Sequence, residues 1–339
     1  MSTSAAQQPS PQLIFQTINS HQRTEALKAG IELEVFTAIG EGNATVAEIA
    51  KRCQASEKGT RVLCDFLTIM GLLTKDGDRY ALTIDSAAFL DKRSPAYIGG
   101  ATEFMCSELL TQGAKYMTEA VRKGGTALDD EGTVGPENPV WVKFARAMAA
   151  LMALPAQLIA NLIDPNADQK LKILDIAAGH GMFGISFATR NKQAEVTALD
   201  WANVLEVAKE NAQKAGVSDR YKTIEGSAFD VDFGTGYDLI LLTNFLHHFD
   251  PPTCETLLRK VRESLADGGR VVTLEFIPNE DRVTPPDAAA FSVMMLISTP
   301  SGDAYTFAEL ERMFANAGFS RSTLHPLPPT IQQVVISEK

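Results

Sequence analysis

The sequence predicts an α/β protein in which a helical N-terminal region precedes a mostly parallel β-sheet. Up to Ile163 most apolar residues recur at helical spacing. From Leu171 onward, short apolar runs alternate with helical stretches, which is the pattern of right-handed βαβ units. The last two apolar runs, at 320–325 and 331–337, have no helix between them. They are expected to pair as an antiparallel hairpin at the sheet edge.

The composition is ordinary for a soluble globular protein, and the chain is long enough for two domains. The chain has 339 residues, of which 45% are hydrophobic and 22% are charged. Its formal net charge of −11 argues against nucleic acid or an anionic membrane as the main partner, because both need clustered cations. The four cysteines include no C-x-x-C pair, which is typical of buried thiols in a reducing cytoplasm. Residues 1–12 are polar, show no signal-peptide pattern and are expected to form a disordered tail.

The N-terminal region outlines a winged-helix domain. One helix is predicted for 24–36, and a second begins at Thr45, an N-cap residue with Glu48 at the capping-box position. A third helix at 61–70 precedes a strand–turn–strand pattern at 72–82. Three helices followed by a hairpin give the winged-helix outline.

The region from Ser94 to Ile163 is expected to be mostly helical. Its loop at 124–139 is rich in glycine and is either a flexible link or a lid. The apolar stretch at 144–163 has about the length of a membrane span. Arg146 and Pro155 within it indicate a buried helix instead.

Five apolar runs separated by helical stretches predict the parallel part of the sheet. They lie at 172–176, 195–199, 221–225, 239–243 and 270–276. Ligands of such sheets bind at the carboxyl ends of the strands. We therefore expect the functional site where these strands end.

The first of these strands runs into a glycine turn, Gly179-His180-Gly181, and a helix predicted at 182–190. The glycines permit a sharp turn and a close ligand, at which the helix points its N-terminal amides. With Gly184, the turn matches the G-x-G-x-x-G fingerprint of dinucleotide sites, and Asp200 follows at about the distance of a ribose-binding acid. A lone match is weak, so a second cofactor class, S-adenosylmethionine, stays open.

Three features favour S-adenosylmethionine over a dinucleotide. Asp175 lies just before the turn, where a carboxylate would repel a pyrophosphate but attract an ammonium and a sulfonium. Glu275 ends the strand that follows Asp267-Gly268-Gly269 and is expected to face the same crevice. The C-terminal hairpin is foreign to a plain dinucleotide-binding fold.

Two segments carry a resemblance to a known family. Asp-Ile-Ala-Ala-Gly-His-Gly, at 175–181, resembles the first motif of class I methyltransferases, and 265–272 resembles a later one. The whole arrangement is similar to the plant-type small-molecule O-methyltransferases of the acetylserotonin and caffeate type and their bacterial relatives. The resemblance implies a Rossmann-like seven-stranded methyltransferase sheet at 166–339, a helical linker and substrate-pocket segment at 106–165, and a winged-helix domain at 13–105. The winged-helix domain would hold two copies of the chain together as a homodimer.

The resemblance also implies which residues bind S-adenosylmethionine, which leaves as S-adenosylhomocysteine. Gly179 and Gly181 would line its methionine portion. Asp200 would take the ribose hydroxyls, and Trp201 would lie beside the adenine. A helix N-cap is the alternative role for Asp200.

At Ser227-Ala228-Phe229 the sequence departs from its relatives, which have an acidic residue followed by an apolar one near the adenine. Phe229 is still suited to stack on the adenine. Asp230 is the candidate for the missing carboxylate contact.

The resemblance places the chemistry at His247. The segment Asn244–Asp250 is similar to the family's His-Asp-Trp segment, with His247 at the general base and Glu275 at the carboxylate that orients it. A histidine with an ordinary pKa near 6.5 suits a base at neutral pH. Without the resemblance, the two histidines would be loop residues before a helix that starts at Asp250.

The sequence departs from the family at two positions near this base. His248 replaces an acid, which is expected to make the surroundings of His247 more positive. Ala304 stands where a second acidic brace is usual, with Asp303 as the adjacent substitute. No metal is predicted, because the histidine pair has no third ligand at metal-binding spacing.

The implied acceptor pocket is apolar, with Phe144, Met148, Met295 and Thr299 in its wall. For each of them, core packing at helical spacing is the alternative. The predicted function is methyl transfer from S-adenosylmethionine to a hydroxyl of an aromatic or polyketide-like small molecule. The alternatives are transfer to carbon or nitrogen, binding of the cofactor without activity, and a ligand-sensing winged-helix regulator, against which the scattered Lys and Arg of residues 51–61 argue.

Overall fold

The structure, a computed structural model, describes residues 9–128, 132–135, 137–164 and 166–339. The chain forms two compact units, one that ends at Thr102 and one that runs from Glu103 to Lys339. Most of the predicted tail at 1–12 lies outside the described residues, of which Pro9 is the first.

The first unit packs short helices around a two-stranded hairpin. Its elements are α1 (Gln12–Ile18), α2 (Ser20–Glu32), α3 (Val35–Gly40), α4 (Val46–Arg52), α5 (Glu57–Ile69), β1 (Leu73–Asp76), β2 (Arg79–Leu82) and α6 (Ile84–Phe89). β1 and β2 pair antiparallel, which confirms the predicted strand–turn–strand. The capping box predicted at Thr45 and Glu48 is present at the start of α4. The winged-helix interpretation of this unit stays a prediction.

The helix predicted for 24–36 is two helices, α2 and α3. Glu34, between them, has a left-handed backbone with φ 57°, a conformation that does not continue a right-handed helix. Its carboxylate forms ion pairs with Arg52 and Lys92 at 3.1 and 2.7 Å. Apolar periodicity does not report such tertiary contacts, so it predicted one continuous helix.

The second unit begins with helices and continues as an α/β sheet. From Thr102 the helices are α7 (Thr102–Met105), α8 (Glu108–Lys115), α9 (Met117–Lys123), α10 (Val140–Ile163), α11 (Met182–Arg190), α12 (Ala202–Lys214), α13 (Pro251–Ser264), α14 (Pro286–Ser298) and α15 (Phe307–Asn316). The strands are β3 (Leu171–Ile176), β4 (Ala194–Asp200), β5 (Tyr221–Glu225), β6 (Tyr237–Thr243), β7 (Leu265–Glu275), β8 (Arg321–Pro326) and β9 (Gln333–Glu338). Every run predicted as a strand is confirmed.

The seven strands lie in the order β5-β4-β3-β6-β7-β9-β8. The pairs among β3 to β7 are parallel, and β9 is antiparallel to both β7 and β8. The chain therefore winds outward from β3 in two directions, and the crevice between the diverging loops is where such sheets bind ligands.

Helix α10 is the one helix of the described residues that is long and apolar enough to cross a membrane. It packs against α11 and α12. Met148, Met152 and Pro155 are among its buried residues. Leu154 and Leu162 are exposed, so the helix predicted to be buried is only partly buried.

Candidate functional site

A cavity of about 870 Å³ opens at the carboxyl ends of the parallel strands. This volume is in the ordinary range of small-molecule sites. The lining comes from the glycine turn after β3, the ends of β4 and β6, the segment after β5, helices α10 and α14, and the loop between β8 and β9. All these elements belong to the second unit.

The two glycines of the turn, Gly179 and Gly181, have different roles. Both have left-handed backbones, with φ 56° at Gly179 and 74° at Gly181. Gly179 lines the cavity. Gly181 is instead the N-cap of α11, where a Cβ atom would lie 2.5 Å from the hydroxyl of Tyr221. Gly179 thus offers its backbone to a ligand, whereas Gly181 permits the turn.

Asp175 lies behind the turn and does not line the cavity. Its side chain is fully buried, and Oδ2 accepts a hydrogen bond from the backbone N–H of Gly184 at 3.0 Å. Burial raises the pKa of Asp175 to about 7. The expectation that Asp175 directly attracts a cationic ligand is therefore wrong. Side chains alternate along a strand, and this one turns toward α11.

Asp200 lies at the end of β4 and lines the cavity. Its Oδ2 accepts from the Gly179 N–H at 2.8 Å, and its Oδ1 accepts from the Trp201 N–H at 2.7 Å. Burial raises the pKa of Asp200 to about 6, against the opposing effect of these two hydrogen bonds. The carboxylate thus ties the turn after β3 to the turn after β4, with the Trp201 side chain beside it.

The segment after β5 forms an aromatic side of the same cavity. Ser227, Ala228, Phe229 and Asp230 line it. The Ser227 hydroxyl accepts from the Phe229 N–H at 3.1 Å, and the Phe229 ring packs edge-on against Phe249 with 5.0 Å between centroids. This side of the cavity therefore offers aromatic surface on which a flat apolar group of a ligand can pack.

His247, in the turn after β6, is in direct contact with Glu275, the last residue of β7. His247 Nδ1 lies 2.5 Å from Glu275 Oε2. Glu275 Oε1 accepts from the backbone N–H groups of Phe245 and Leu246 at 3.2 and 3.0 Å. Both side chains are buried. His247 lines the cavity, whereas Glu275 does not, so the expectation that Glu275 faces the crevice is wrong: its carboxylate is taken up by the His247 ring and the backbone of the turn. Because the carboxylate keeps a proton on Nδ1, Nε2 is left as a proton acceptor.

The second histidine of the pair is a neutral neighbour. The His248 ring centroid is 4.3 Å from that of His247, and Trp141 packs edge-on against it at 5.1 Å. Burial, and to a smaller extent His247, lowers the pKa of His248 well below its ordinary value. The expectation that His248 makes the surroundings of His247 more positive is therefore wrong, because His248 is uncharged at neutral pH.

Asp303 does not replace the acid missing at Ala304. Its Oδ2 pairs with Arg282 at 3.1 Å, and its Oδ1 accepts from the Ala304 N–H at 2.8 Å. Only its backbone reaches the histidine turn, donating from N–H to His247 O at 3.0 Å. Among the described residues, Glu275 is the carboxylate bonded to the His247 ring.

The wall opposite the sheet is apolar. Phe144, Met148 and Met295 line the cavity, whereas Thr299 is fully buried and donates its hydroxyl to Met295 O at 2.8 Å. Sequence reasoning missed Met152, one helical turn beyond Met148, although its spacing on α10 signals the same face.

One polar pair in the cavity was also missed. Asn244 follows β6 with a left-handed backbone, φ 56°, and its Oδ1 accepts from the side-chain amide of Gln332. Both residues line the cavity. Gln332 lies in the loop between β8 and β9, and no local sequence signal points from it to Asn244.

The charge of the lining distinguishes the candidate cofactors. Asp200, Asp230 and Asp287 line the cavity, and the described lining includes no Lys or Arg. Carboxylates without a compensating cation repel a pyrophosphate and attract a sulfonium or an ammonium. These residues therefore fit a cationic cofactor. No group of three or more metal-binding side chains occurs in the part of the chain that the structure describes.

Two family matches cover most of this chain. The O-methyltransferase domain matches residues 132–320, and the O-methyltransferase dimerisation domain matches residues 15–92.

Three individual proteins show how the chain compares with its relatives. A solved structure described as a putative O-methyltransferase of Nostoc punctiforme is 57% identical, with a TM-score of 0.95 over 98% of this chain and 100% of that one. A 3-hydroxy-5-methyl-1-naphthoate 3-O-methyltransferase of Streptomyces sahachiroi is 28% identical over 313 residues, which are 91% of this chain and 90% of the relative. An L-tyrosine C(3)-methyltransferase of Streptomyces lavendulae is 25% identical over 309 residues, 88% of this chain and 83% of the relative.

Proposed function

The chain belongs to the O-methyltransferase family, and we propose that it transfers a methyl group from S-adenosylmethionine to a hydroxyl of an aromatic or polyketide-like small molecule. The observation that carries this proposal is the His247–Glu275 contact at the wall of a cavity that also contains Gly179 and Asp200. The residues proposed as the base and as the ribose contact therefore line the same cavity as the glycine turn.

S-adenosylmethionine supplies an electrophilic methyl group on a positively charged sulfur. We assign its ribose hydroxyls to Asp200, its adenine to the space between Trp201 and Phe229, and its methionine portion to the backbone at Gly179. Ser227, Ala228 and Asp230 border the adenine. The support is that all these residues line one cavity, whose described lining includes aspartates but no Lys or Arg.

In the proposed mechanism His247 Nε2 takes the proton of the acceptor hydroxyl as the acceptor oxygen bonds to the methyl carbon. The bond between sulfur and the methyl group breaks in the same step, and S-adenosylhomocysteine is the leaving group. Glu275 keeps the imidazole in the required tautomer and stabilises the positive charge that the ring acquires. A positioned general base contributes typically 10²–10⁴-fold to a rate. His248, held neutral, adds no charge that would oppose protonation of His247.

We assign the acceptor to the apolar part of the cavity, between Phe144, Met148 and Met295. Methionine side chains adapt to rings of different shape. The Streptomyces sahachiroi relative acts on a hydroxynaphthoate according to its name, which favours an aromatic acceptor here.

Methylation of a carbon atom is the second candidate function. The Streptomyces lavendulae relative is a C(3)-methyltransferase of L-tyrosine by its name. Removal of a phenol proton by His247 would also activate the adjacent ring carbon as a nucleophile, so the same base serves both reactions. Analysis of the methylated product separates the two functions.

We further propose a cytoplasmic homodimer that forms through the N-terminal domain, residues 13–105. The dimerisation family matches within this region, at 15–92. Leu13, Ile14, Phe15 and Ile18 on α1 are each exposed by 60% or more, which is apolar surface that a second copy would cover.

A screen of phenolic, polyketide and indole acceptors with methyl-labelled S-adenosylmethionine tests the proposal. We expect label on an acceptor oxygen. Label on carbon would establish the second candidate, and a protein that binds neither S-adenosylmethionine nor S-adenosylhomocysteine would overturn both.

A further inference from the structure

The cavity contains a buried histidine that the proposed mechanism does not use. His180 stands between Gly179 and Gly181, is 2% exposed and lines the cavity. Its ring stacks on Phe144, with centroids 6.0 Å apart and planes at 20°, and lies 5.7 Å from the ring of Phe183. These contacts hold the ring beside the turn.

Hydrogen bonds define the proton position on this ring. His180 Nδ1 accepts from the backbone N–H of Met182 at 3.1 Å, so in the neutral ring the proton is on Nε2. Asn211 donates to His180 O at 2.9 Å and anchors the backbone. Burial lowers the pKa of His180 to about 4, so the ring is neutral under physiological conditions. Within the described residues Nε2 bonds to no protein group, which leaves one oriented donor for the cavity.

The cofactor carries one anionic group for which the described lining has no Lys or Arg partner. The methionine portion of S-adenosylmethionine carries a carboxylate, yet no Lys or Arg is among the described lining residues. A carboxylate that leaves water needs hydrogen-bond donors, and bonds to a charged acceptor are stronger than those between neutral groups. A neutral donor also has an advantage here, because a full positive charge close by would repel the sulfonium.

We infer that His180 Nε2–H binds the carboxylate of the methionine portion of the cofactor. The inference rests on the proposed function and assigns one residue of the site to one group of the ligand. It also accounts for a histidine inside the glycine turn. Its Nδ1 accepts from the N–H of Met182, the first residue of α11, and its Nε2 binds the ligand, so each ring nitrogen has its own partner.

Two amide variants separate these roles. The Asn amide oxygen reaches the position of Nδ1 and keeps the bond to Met182 N–H, but places no donor at Nε2. The Gln amide reaches the position of Nε2. We therefore expect His180→Asn to lose the ligand contact and His180→Gln to retain it.

The experiment is calorimetric titration of wild type and both variants with S-adenosylmethionine and with its decarboxylated analogue, in the absence of acceptor. His180→Asn should weaken binding of S-adenosylmethionine about tenfold or more, the usual scale of a hydrogen bond to a charged group. The same variant should bind the decarboxylated analogue within about twofold of wild type. His180→Gln should bind both ligands nearly as wild type does.

An equal loss for both ligands in His180→Asn, or no loss for either, would overturn the inference while leaving the proposed function intact. If wild type binds neither S-adenosylmethionine nor S-adenosylhomocysteine, the proposed function itself fails. Far-ultraviolet circular dichroism of each variant checks that the helices are retained.

Discussion

Glu275 holds the His247 ring with one carboxylate oxygen and the backbone of the same turn with the other. Oε2 lies 2.5 Å from Nδ1, and Oε1 accepts from Phe245 and Leu246. One side chain therefore fixes both the orientation of the imidazole and the path of the segment that carries it.

Glu275→Gln should reduce turnover more than a simple loss of charge implies. The amide oxygen can still accept from the backbone, but the NH₂ group would donate to Nδ1 and place the ring proton on Nε2. That tautomer is not a base toward the cavity, so kcat should fall by about 100-fold or more. Steady-state kinetics measures this, and calorimetry should show nearly unchanged cofactor affinity.

His247→Ala should leave cofactor binding nearly intact and reduce turnover about 100-fold or more, because only the base is lost. His325→Ala is the matched control, since His325 lies on β8 and does not line the cavity. Wild-type turnover of the His247 variant with the preferred acceptor would remove this residue from the mechanism.

Asp200→Ala should weaken cofactor binding by about tenfold to 100-fold, the range for loss of a charged hydrogen-bond acceptor. The control is Asp219→Ala, at an acid whose side chain is 76% exposed. Because the pKa of Asp200 is raised to about 6, wild-type affinity should also decline as the pH falls below about 6. Titrations at pH 5.5 and 7.5 that give equal affinities would contradict this assignment.

Asp175→Asn should change the pH dependence of stability. In the folded protein the pKa of Asp175 is raised to about 7, so between the unfolded pKa and 7 the native state binds more protons than the unfolded state. The contribution of Asp175 to the free energy of unfolding is complete at low pH and is lost as the pH rises through 7. The variant cannot ionise at this position. Between pH 5 and 8 its free energy of unfolding should therefore decline by about 2–4 kcal/mol less than that of wild type. Urea denaturation at both pH values measures the difference.

Gly302→Ala should disturb the base without touching the cofactor. A Cβ atom at this position would lie 2.2 Å from His247 O and 2.7 Å from the Thr299 hydroxyl, so the histidine turn must shift. We expect kcat to fall by about tenfold or more, since small misplacements of catalytic groups are costly. Gly100→Ala, where the added atom meets open space, is the control, and equal activities of the two variants would refute the argument.

The sheet was predictable because its signals are local. Apolar runs, a glycine turn and a helix start gave β3 and α11, the latter with its observed ends at Met182 and Arg190. The break between α2 and α3 at Glu34 was not predictable from local sequence. Glu34 forms ion pairs there with Arg52 and Lys92, which are distant in the chain.

In the site, the sequence placed residues near the strand ends but did not show which way they face. A strand buried on both faces gives no alternation that would show Asp175 turning toward α11. The pairing of Asp303 with Arg282, and of Asn244 with Gln332, joins residues far apart in the chain. Such partners become visible only when the fold brings them together.

The apolar wall and the proposed base lie on different parts of the chain. Phe144, Met148 and Met152 are on α10 and Met295 is on α14, whereas His247 and Glu275 are anchored to β6 and β7. Substitutions at these four positions can reshape the acceptor space without removing the proton-transfer pair. Phe291 on α14 is the exception on these helices, because its ring packs edge-on against His247 with 4.8 Å between centroids. Such a division lets one scaffold acquire new substrates in evolution, and it makes the two helices the natural targets for redesign of acceptor preference.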